Sequence, residues 1–239
     1  MDPVKVYLGE FIGTAILLFM GNSTNASVLL NKTIAKAFSP NWCVIVFGWC
    51  FAVTFGVYAG WFFGAPAHLN PALTIALASG GAFPWELVPG TIVAQCLGGF
   101  LGATMTIIHY YPHFKVTGPD EGNCVGIFAT GPAIEHKFFN VLSEIVATFM
   151  FLFCVLLLGD MVQGLKPLMF GLLIAGIGFS FGSTTGYAMN PARDFPTRLA
   201  YAILPVPNKG TANWKYAWVP VVGPIIGATI AMHVWLVLQ

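Results

Sequence analysis

Apolar residues in this chain run in unbroken stretches of about twenty, and most polar residues are confined to the gaps between them. Twenty helical residues at 1.5 Å each give ~30 Å, the thickness of a hydrocarbon core, so each stretch predicts a membrane-spanning helix. Six are expected, at 6–29, 42–63, 85–110, 139–159, 168–181 and 214–238, the fifth being the shortest. Ordinary polar loops fill 31–41, 112–137 and 160–167. The first stretch is too long for a signal peptide, carries Glu10 and shows no cleavage pattern, so it is expected to remain as a span.

Two gaps are of another kind. Asn70-Pro71-Ala72 and Asn190-Pro191-Ala192 lie 120 residues apart, about half of the 239. Asn favours the cap position of a helix, and Pro is tolerated at the first helical residue because its missing N–H would be unpaired there anyway. Each triplet therefore starts a helix. The first runs only to about Ser79, before Gly80-Gly81, and the second to about Tyr201, before Pro205 and Pro207. At ~15 Å such helices reach halfway across a membrane. The irregular backbone before them, 64–68 and 182–189, survives at that depth only where it lines a water-filled cavity or is buried in protein.

A second internal match supports duplication. Gly9-Glu10-Phe11-Ile12-Gly13-Thr14 parallels Ser143-Glu144-Ile145-Val146-Ala147-Thr148 in the first and fourth spans. Each half then reads span, span, half-helix, span, and an odd number of spans forces the halves to enter from opposite sides. The expected fold is an all-α membrane protein: six transmembrane helices plus two re-entrant half-helices in an inverted repeat. A single transmembrane domain is expected over 1–239, with repeats at about 5–110 and 138–238 joined by loop 111–137.

Composition narrows the function. Apolar residues make up 57% and charged residues 8%, with mean hydropathy +0.78, which excludes an ordinary soluble domain. A net charge of +1 offers no case for a nucleic-acid partner. Cys43, Cys50, Cys96 and Cys154 lie in apolar runs, and Cys124 stands alone in a loop, so no disulfide framework is expected. No spacing suggests a metal site or cofactor, and no nucleophile sits with a base, so an enzyme is not expected. Lys and Arg are more frequent on the face opposite the termini, which by charge alone puts the termini outside.

The two capping Asn residues and Arg193 carry the chemistry. A capping Asn spends its oxygen on its own helix and keeps its NH2 group for a passing solute. Two half-helix N-termini add about half a positive charge each, which repels cations at the pore centre. Arg193 sits in the first turn of the second half-helix, where the dipole disfavours a cation and the membrane penalises any charge. A site explains it better than an ion pair with Asp194 at the lipid interface. At ~4 Å and an effective dielectric near 20, it repels a monovalent cation by about 4 kcal/mol while offering N–H donors to a hydroxyl. Asp194 is read as offsetting the dipole and fixing its loop.

Ala67-His68-Leu69-Asn70-Pro71-Ala72 and Gly186-Tyr187-Ala188-Met189-Asn190-Pro191-Ala192-Arg193-Asp194 resemble the signature loops of the aquaporin (major intrinsic protein) family, in its glycerol-facilitator branch. The likeness covers essentially the whole chain. It implies a homotetramer in the lipid bilayer of the cell membrane, with one pore per subunit, cytoplasmic termini and half-helices meeting at mid-membrane. On orientation it overrides the charge count.

The resemblance also carries site residues. It implies a selectivity filter of Trp49, Gly178, Tyr187 and Arg193, with Gly178 widening the ring where water channels place His. Trp49 and Tyr187 then form an apolar corner. Ala65, Pro66, Ala67, His68, Thr185, Gly186 and Ala188 would line the pore with backbone. Glu10 and Glu144 would accept N–H groups from the re-entrant loops, and Asp194, Arg198 and Pro220 match the glycerol-type pattern. Two departures stand out: Tyr187 where Phe is common, and a first loop, Gly64-Ala65-Pro66-Ala67-His68, one residue longer than usual. The implied function is passive passage of glycerol, water and similar neutral solutes such as urea, dihydroxyacetone or undissociated lactic acid, excluding ions and protons. A coupled secondary transporter also predicts inverted repeats and broken helices, and a channel restricted mainly to water is the other alternative.

Overall fold

The computed structural model describes residues 1–118, 121, 124–162 and 164–239. Pro119 and Gly122 of the connection between the halves lie outside these. Among the described residues all regular structure is helical. In chain order the helices are α1 (Pro3–Leu29), α2 (Ile34–Ala37), α3 (Trp42–Phe62), α4 (Pro71–Ser79), a 3-10 turn (Trp85–Leu87), α5 (Val88–His109) and α6 (Tyr111–Val116). Then follow α7 (Val125–Phe128), α8 (Lys137–Leu157), α9 (Leu165–Ser180), α10 (Gly182–Thr185), α11 (Pro191–Ile203) and α12 (Val219–Leu238).

Among the described residues five helices are long and apolar enough to cross a membrane: α1, α3, α5 with its leading turn, α8 and α12. The remaining one, α9, the fifth span in chain order, has 16 residues, or ~24 Å of helix. It starts behind Gly164 (φ +86°), which marks its boundary, and the short α10 follows it after Phe181. The sixth span differs from expectation at its start. The aromatic residues of 214–218 extend the run in sequence, but this segment, which also carries Lys215, forms turns, with the Tyr216 and Val219 N–H groups donating to the carbonyls of Asn213 and Tyr216. Pro220 sits at the head of α12, where its missing N–H does no harm, and so fixes the helix start.

The halves interlock. The first span α1 packs on α3 and α5, and the corresponding α8 packs on α9 and α12. Each half-helix then seats against the last span of the other half, α4 on α12 and α11 on α5. Lipid supplies no hydrophobic drive between helices, so close backbone approach has to hold them together. A Cβ added at Gly98 of α5 would lie 2.3 Å from the Phe11 carbonyl of α1, and one at Gly227 of α12 equally close to the Ile145 carbonyl of α8. Large side chains such as Phe51, Phe55, Val93 and Leu97 face outward from the bundle.

The connection between the halves is more than a loop. Its helices α6 and α7 bury Phe114, Ile127 and Phe128. Phe128 stacks between Phe114 (6.1 Å) and Tyr201 of α11 (5.5 Å). The connection is thereby pinned onto the second half-helix. Cys124, in the same segment, is buried, and burial pushes its thiol up against an opposing pull from Lys36. All five cysteines are free.

Candidate functional site

The two half-helix tips meet and are bonded to each other. Asn70 Oδ1 accepts from Ala72 N (2.9 Å), and Asn190 Oδ1 accepts from Ala192 N (2.9 Å) and Arg193 N (3.3 Å), so both asparagines cap as expected. Asn70 Nδ2 donates to the Met189 carbonyl and Asn190 Nδ2 to the Leu69 carbonyl, each at 2.8 Å. The sequence leaves both amide hydrogens of each group for a solute. The structure commits one of the two to the opposite tip and leaves one, because a buried carbonyl without a partner is costly.

The loops leading to the tips share one conformation. Ala67 and Leu69 have φ of +56° and +51°; Tyr187 and Met189, at the same offsets before Asn190, have +37° and +49°. For residues other than Gly each such position costs on the order of 1–3 kcal/mol and persists only when its surroundings over-determine it. Two buried carboxylates do so. Glu10 accepts from His68 N (2.7 Å), Leu69 N (2.7 Å) and Gln95 Nε2 (2.9 Å). Glu144 accepts from Ala188 N (3.0 Å), Met189 N (2.8 Å) and Thr185 Oγ1 (2.7 Å). With the N–H groups drawn back to carboxylates, the Leu69 and Met189 carbonyls turn inward to the opposite tip.

His68 joins the first support. Thr74 Oγ1 donates to the Asn70 carbonyl (3.1 Å), so its lone pairs receive Gln95 Nε2 (3.0 Å) and His68 Nδ1 (3.2 Å). That donor count assigns the His68 proton to Nδ1 and leaves Nε2 as an acceptor. The ring also stands edge-on to Phe83, with centroids 4.9 Å apart.

Arg193 lies on the far side of the tips. Its guanidinium covers the Trp49 ring at 4.5 Å and donates to the Phe128 carbonyl at 3.2 Å. Trp49 is fixed in turn by its Nε1–H on Asn25 Oδ1 (3.1 Å), while Asn25 Nδ2 donates to the Gly126 and Ile127 carbonyls (3.2 Å each). Asp194 is not the partner of Arg193. It pairs with Arg198 at 2.7 Å and accepts from Thr130 N (2.7 Å) and Oγ1 (3.0 Å). Arg198 also donates to the carbonyls of Thr130, Ala212 and Asn213, which clamps two loops onto α11. Among the described residues the Arg193 charge is therefore left facing the constriction without a direct counter-ion.

A cavity of about 450 Å³ runs through these groups. At one mouth it is bordered by Gly159, Asp160 and Lys166. It continues between an apolar wall (Leu73, Leu77, Phe151, Leu152, Leu156) and the backbone of the two loops, past Asn70 and Asn190, to Trp49, Tyr187 and Arg193. Pro66, Ala67, His68, Gly186 and Ala188 line it as well.

Three expected site residues stand elsewhere. Ala65 packs on α1, where a Cβ at Gly9 would lie 2.5 Å from its own. Thr185 is buried in α10 with its hydroxyl on Glu144. Gly178 does not leave open space: a Cβ there would sit 3.0 Å from Tyr187 Cζ, because the Tyr187 ring fills the position. Pro71, Ala72, Pro191 and Ala192 form the helix starts behind the asparagines. Asn25, Gln95, Thr130 and the Phe128 carbonyl are supports that sequence reasoning missed. Only Asn25 and Gln95 left a signal, as amides inside apolar runs. Among the described residues no cluster of His, Cys, Asp or Glu could hold a metal ion.

The profile of the family described as "MIP: Major intrinsic protein" matches residues 1–235. The chain is 53% identical over 226 residues to "Glycerol uptake facilitator protein 2" of Lactiplantibacillus plantarum, covering 94% of this chain and 95% of that protein. It is 50% identical over 229 residues to "Glycerol uptake facilitator protein" of Bacillus subtilis, covering 95% and 82%. Among solved structures, the aquaglyceroporin from Plasmodium falciparum superposes with a TM-score of 0.84 at 28% identity, covering 98% of this chain and 96% of that one. The chain belongs to the major intrinsic protein family.

Proposed function

We propose that this protein is a passive channel for glycerol, water and other small uncharged solutes, and that it excludes ions and protons. The observation that carries the reading is the pair of reciprocal 2.8 Å bonds between the half-helix tips, set on one cavity that reaches an Arg193 with no ion-pair partner among the described residues. The names of the relatives support glycerol as the solute class. A neutral polyol exchanges its water hydrogen bonds for loop carbonyls, one N–H from each Asn and the Arg193 donors. An ion loses several kcal/mol of hydration that the mostly apolar wall does not return.

The filter reading takes Trp49, Tyr187 and Arg193 as the constriction, with Gly178 as the seat of Tyr187. The protein works as a homotetramer in the cell membrane with cytoplasmic termini, each chain a single channel unit built of repeats at about 5–110 and 138–238. Urea, dihydroxyacetone and undissociated lactic acid are solutes of the right size and charge. The coupled-transporter reading needs a free carboxylate. Glu10 and Glu144 each already accept three hydrogen bonds that hold the loops.

Purified protein in proteoliposomes tests the proposal by stopped-flow light scattering. Glycerol influx should follow its gradient, rise linearly with concentration and ignore imposed Na⁺ or proton gradients. Saturable, ion-driven or absent glycerol flux would overturn it.

A further inference from the structure

Within the channel reading proposed above, we infer that Trp42, which is not one of the four filter positions, sets the aperture by holding Tyr187 in place. Trp42 opens α3 at the edge of the membrane and is 37% exposed, which by itself describes an interfacial belt residue. Its indole N–H, however, donates to the Gly178 carbonyl at 3.1 Å. That carbonyl belongs to the last turn of α9, where helix geometry leaves four carbonyls without an intrahelical partner. Trp42 therefore ties the head of α3 to the foot of α9, at the glycine over which Tyr187 lies.

The same indole grips the Tyr187 ring. The two rings meet edge to face, with centroids 5.8 Å apart and planes at 79°. Gly182 closes the cradle: a Cβ there would lie 2.4 Å from Tyr187 Cδ1 and 3.0 Å from Trp42 Cζ2. Gly178 forms its floor, with an added Cβ 3.0 Å from Tyr187 Cζ and 3.2 Å from its hydroxyl.

Tyr187 needs such a cradle. Its backbone sits at φ +37° in a loop, and its buried hydroxyl has no hydrogen-bond partner among the described residues. No polar anchor fixes the ring, so packing does. Two of the three cradle members are glycines and contribute only space; Trp42 contributes the wall. Trp49, on the other side of the constriction, is fixed independently through Asn25.

Removing the wall frees Tyr187 to move away from Arg193, so longer polyols should pass. In proteoliposomes, Trp42→Ala should raise the erythritol-to-glycerol permeability ratio by about 3-fold or more, the scale of one aromatic pair contact. Trp42→Phe, which keeps a ring edge and loses the N–H, should recover most of the wild-type ratio. In a Tyr187→Ala background, Trp42→Ala should change the ratio no further. A merely structural role would lower all solutes together and leave the ratio fixed, and that result, or additive effects of the two substitutions, would overturn the inference. An experimental structure of Trp42→Ala reads the ring directly: Tyr187 displaced from Gly178 supports the inference and Tyr187 unmoved ends it. That readout holds even if the wild-type protein passes no glycerol, a result that would sink the channel reading instead.

Discussion

Arg193→Ala isolates the charge barrier. The guanidinium has Trp49 against its face at 4.5 Å and one carbonyl at 3.2 Å, and the adjacent carboxylate is already paired with Arg198. A monovalent cation passing at ~4 Å meets about 4 kcal/mol of repulsion at an effective dielectric near 20. At 1.4 kcal/mol per decade this is a factor of about 1,000. The two half-helix tips, each carrying about half a positive charge, remain after the substitution. The expected rise in cation and proton leak therefore lies between about tenfold and a thousandfold. Trp49 keeps its bond to Asn25 and should stay in place, so glycerol flux should persist with altered selectivity. Proteoliposomes loaded with a pH-sensitive dye and subjected to K⁺ and pH gradients measure the leak, with light scattering in the same preparation for glycerol. Folded, glycerol-conducting Arg193→Ala protein with no added leak would refute the reasoning and move the barrier to the tips. Arg193→Lys keeps a charge but loses the planar donor fork, so it should preserve ion exclusion while changing the order of solutes.

Asn25→Ala leaves the Trp49 N–H and two loop carbonyls without partners, at about 1–3 kcal/mol for each buried group. Its thermal midpoint in detergent should fall by several degrees and its glycerol-to-water ratio should shift; an unchanged midpoint would deny Asn25 its role. Asp194→Asn strands the buried Arg198 guanidinium, a loss on the order of 3–5 kcal/mol. The yield of monodisperse protein should collapse, and Asp194→Asn with Arg198→Met should recover part of it; equal yields for both would contradict the clamp. Glu10→Gln and Glu144→Gln each turn an acceptor oxygen into a donor facing loop N–H groups, so glycerol flux should fall to a similar extent in both. A variant that fell alone would break the functional equivalence of the two supports.

The spans were legible because hydrocarbon thickness imposes a run length that few soluble segments imitate. The half-helix starts were legible because Asn followed by Pro fits one end of a helix. Arg193 stood out as a cation where both dipole and lipid oppose one. The start of α12 was hidden, since the aromatic residues of 214–218 lengthen the run despite Lys215 and only Pro220 marks the boundary. Helices α6 and α7 were hidden in a segment whose glycines and prolines read as loop, and their burial depends on contact with α11, far along the chain.

At the site, sequence could mark Asn25 and Gln95 as amides out of place but could not say what they hold. Nor could it show that the tips spend half of their amide donors on each other. Gly178 and Tyr187 illustrate the limit. As separate positions they suggested a wide ring with an extra hydroxyl, but in space the tyrosine occupies the room the glycine leaves.

The most direct measurement is an experimental density map of the membrane-embedded protein in glycerol, read at the junction of the two tips. The expected result is Asn70 Nδ2 on the Met189 carbonyl and Asn190 Nδ2 on the Leu69 carbonyl near 2.8 Å, with polyol density running from that junction to the Arg193 guanidinium. Tips standing apart beyond hydrogen-bond reach, or Arg193 turned to the lipid, would contradict it.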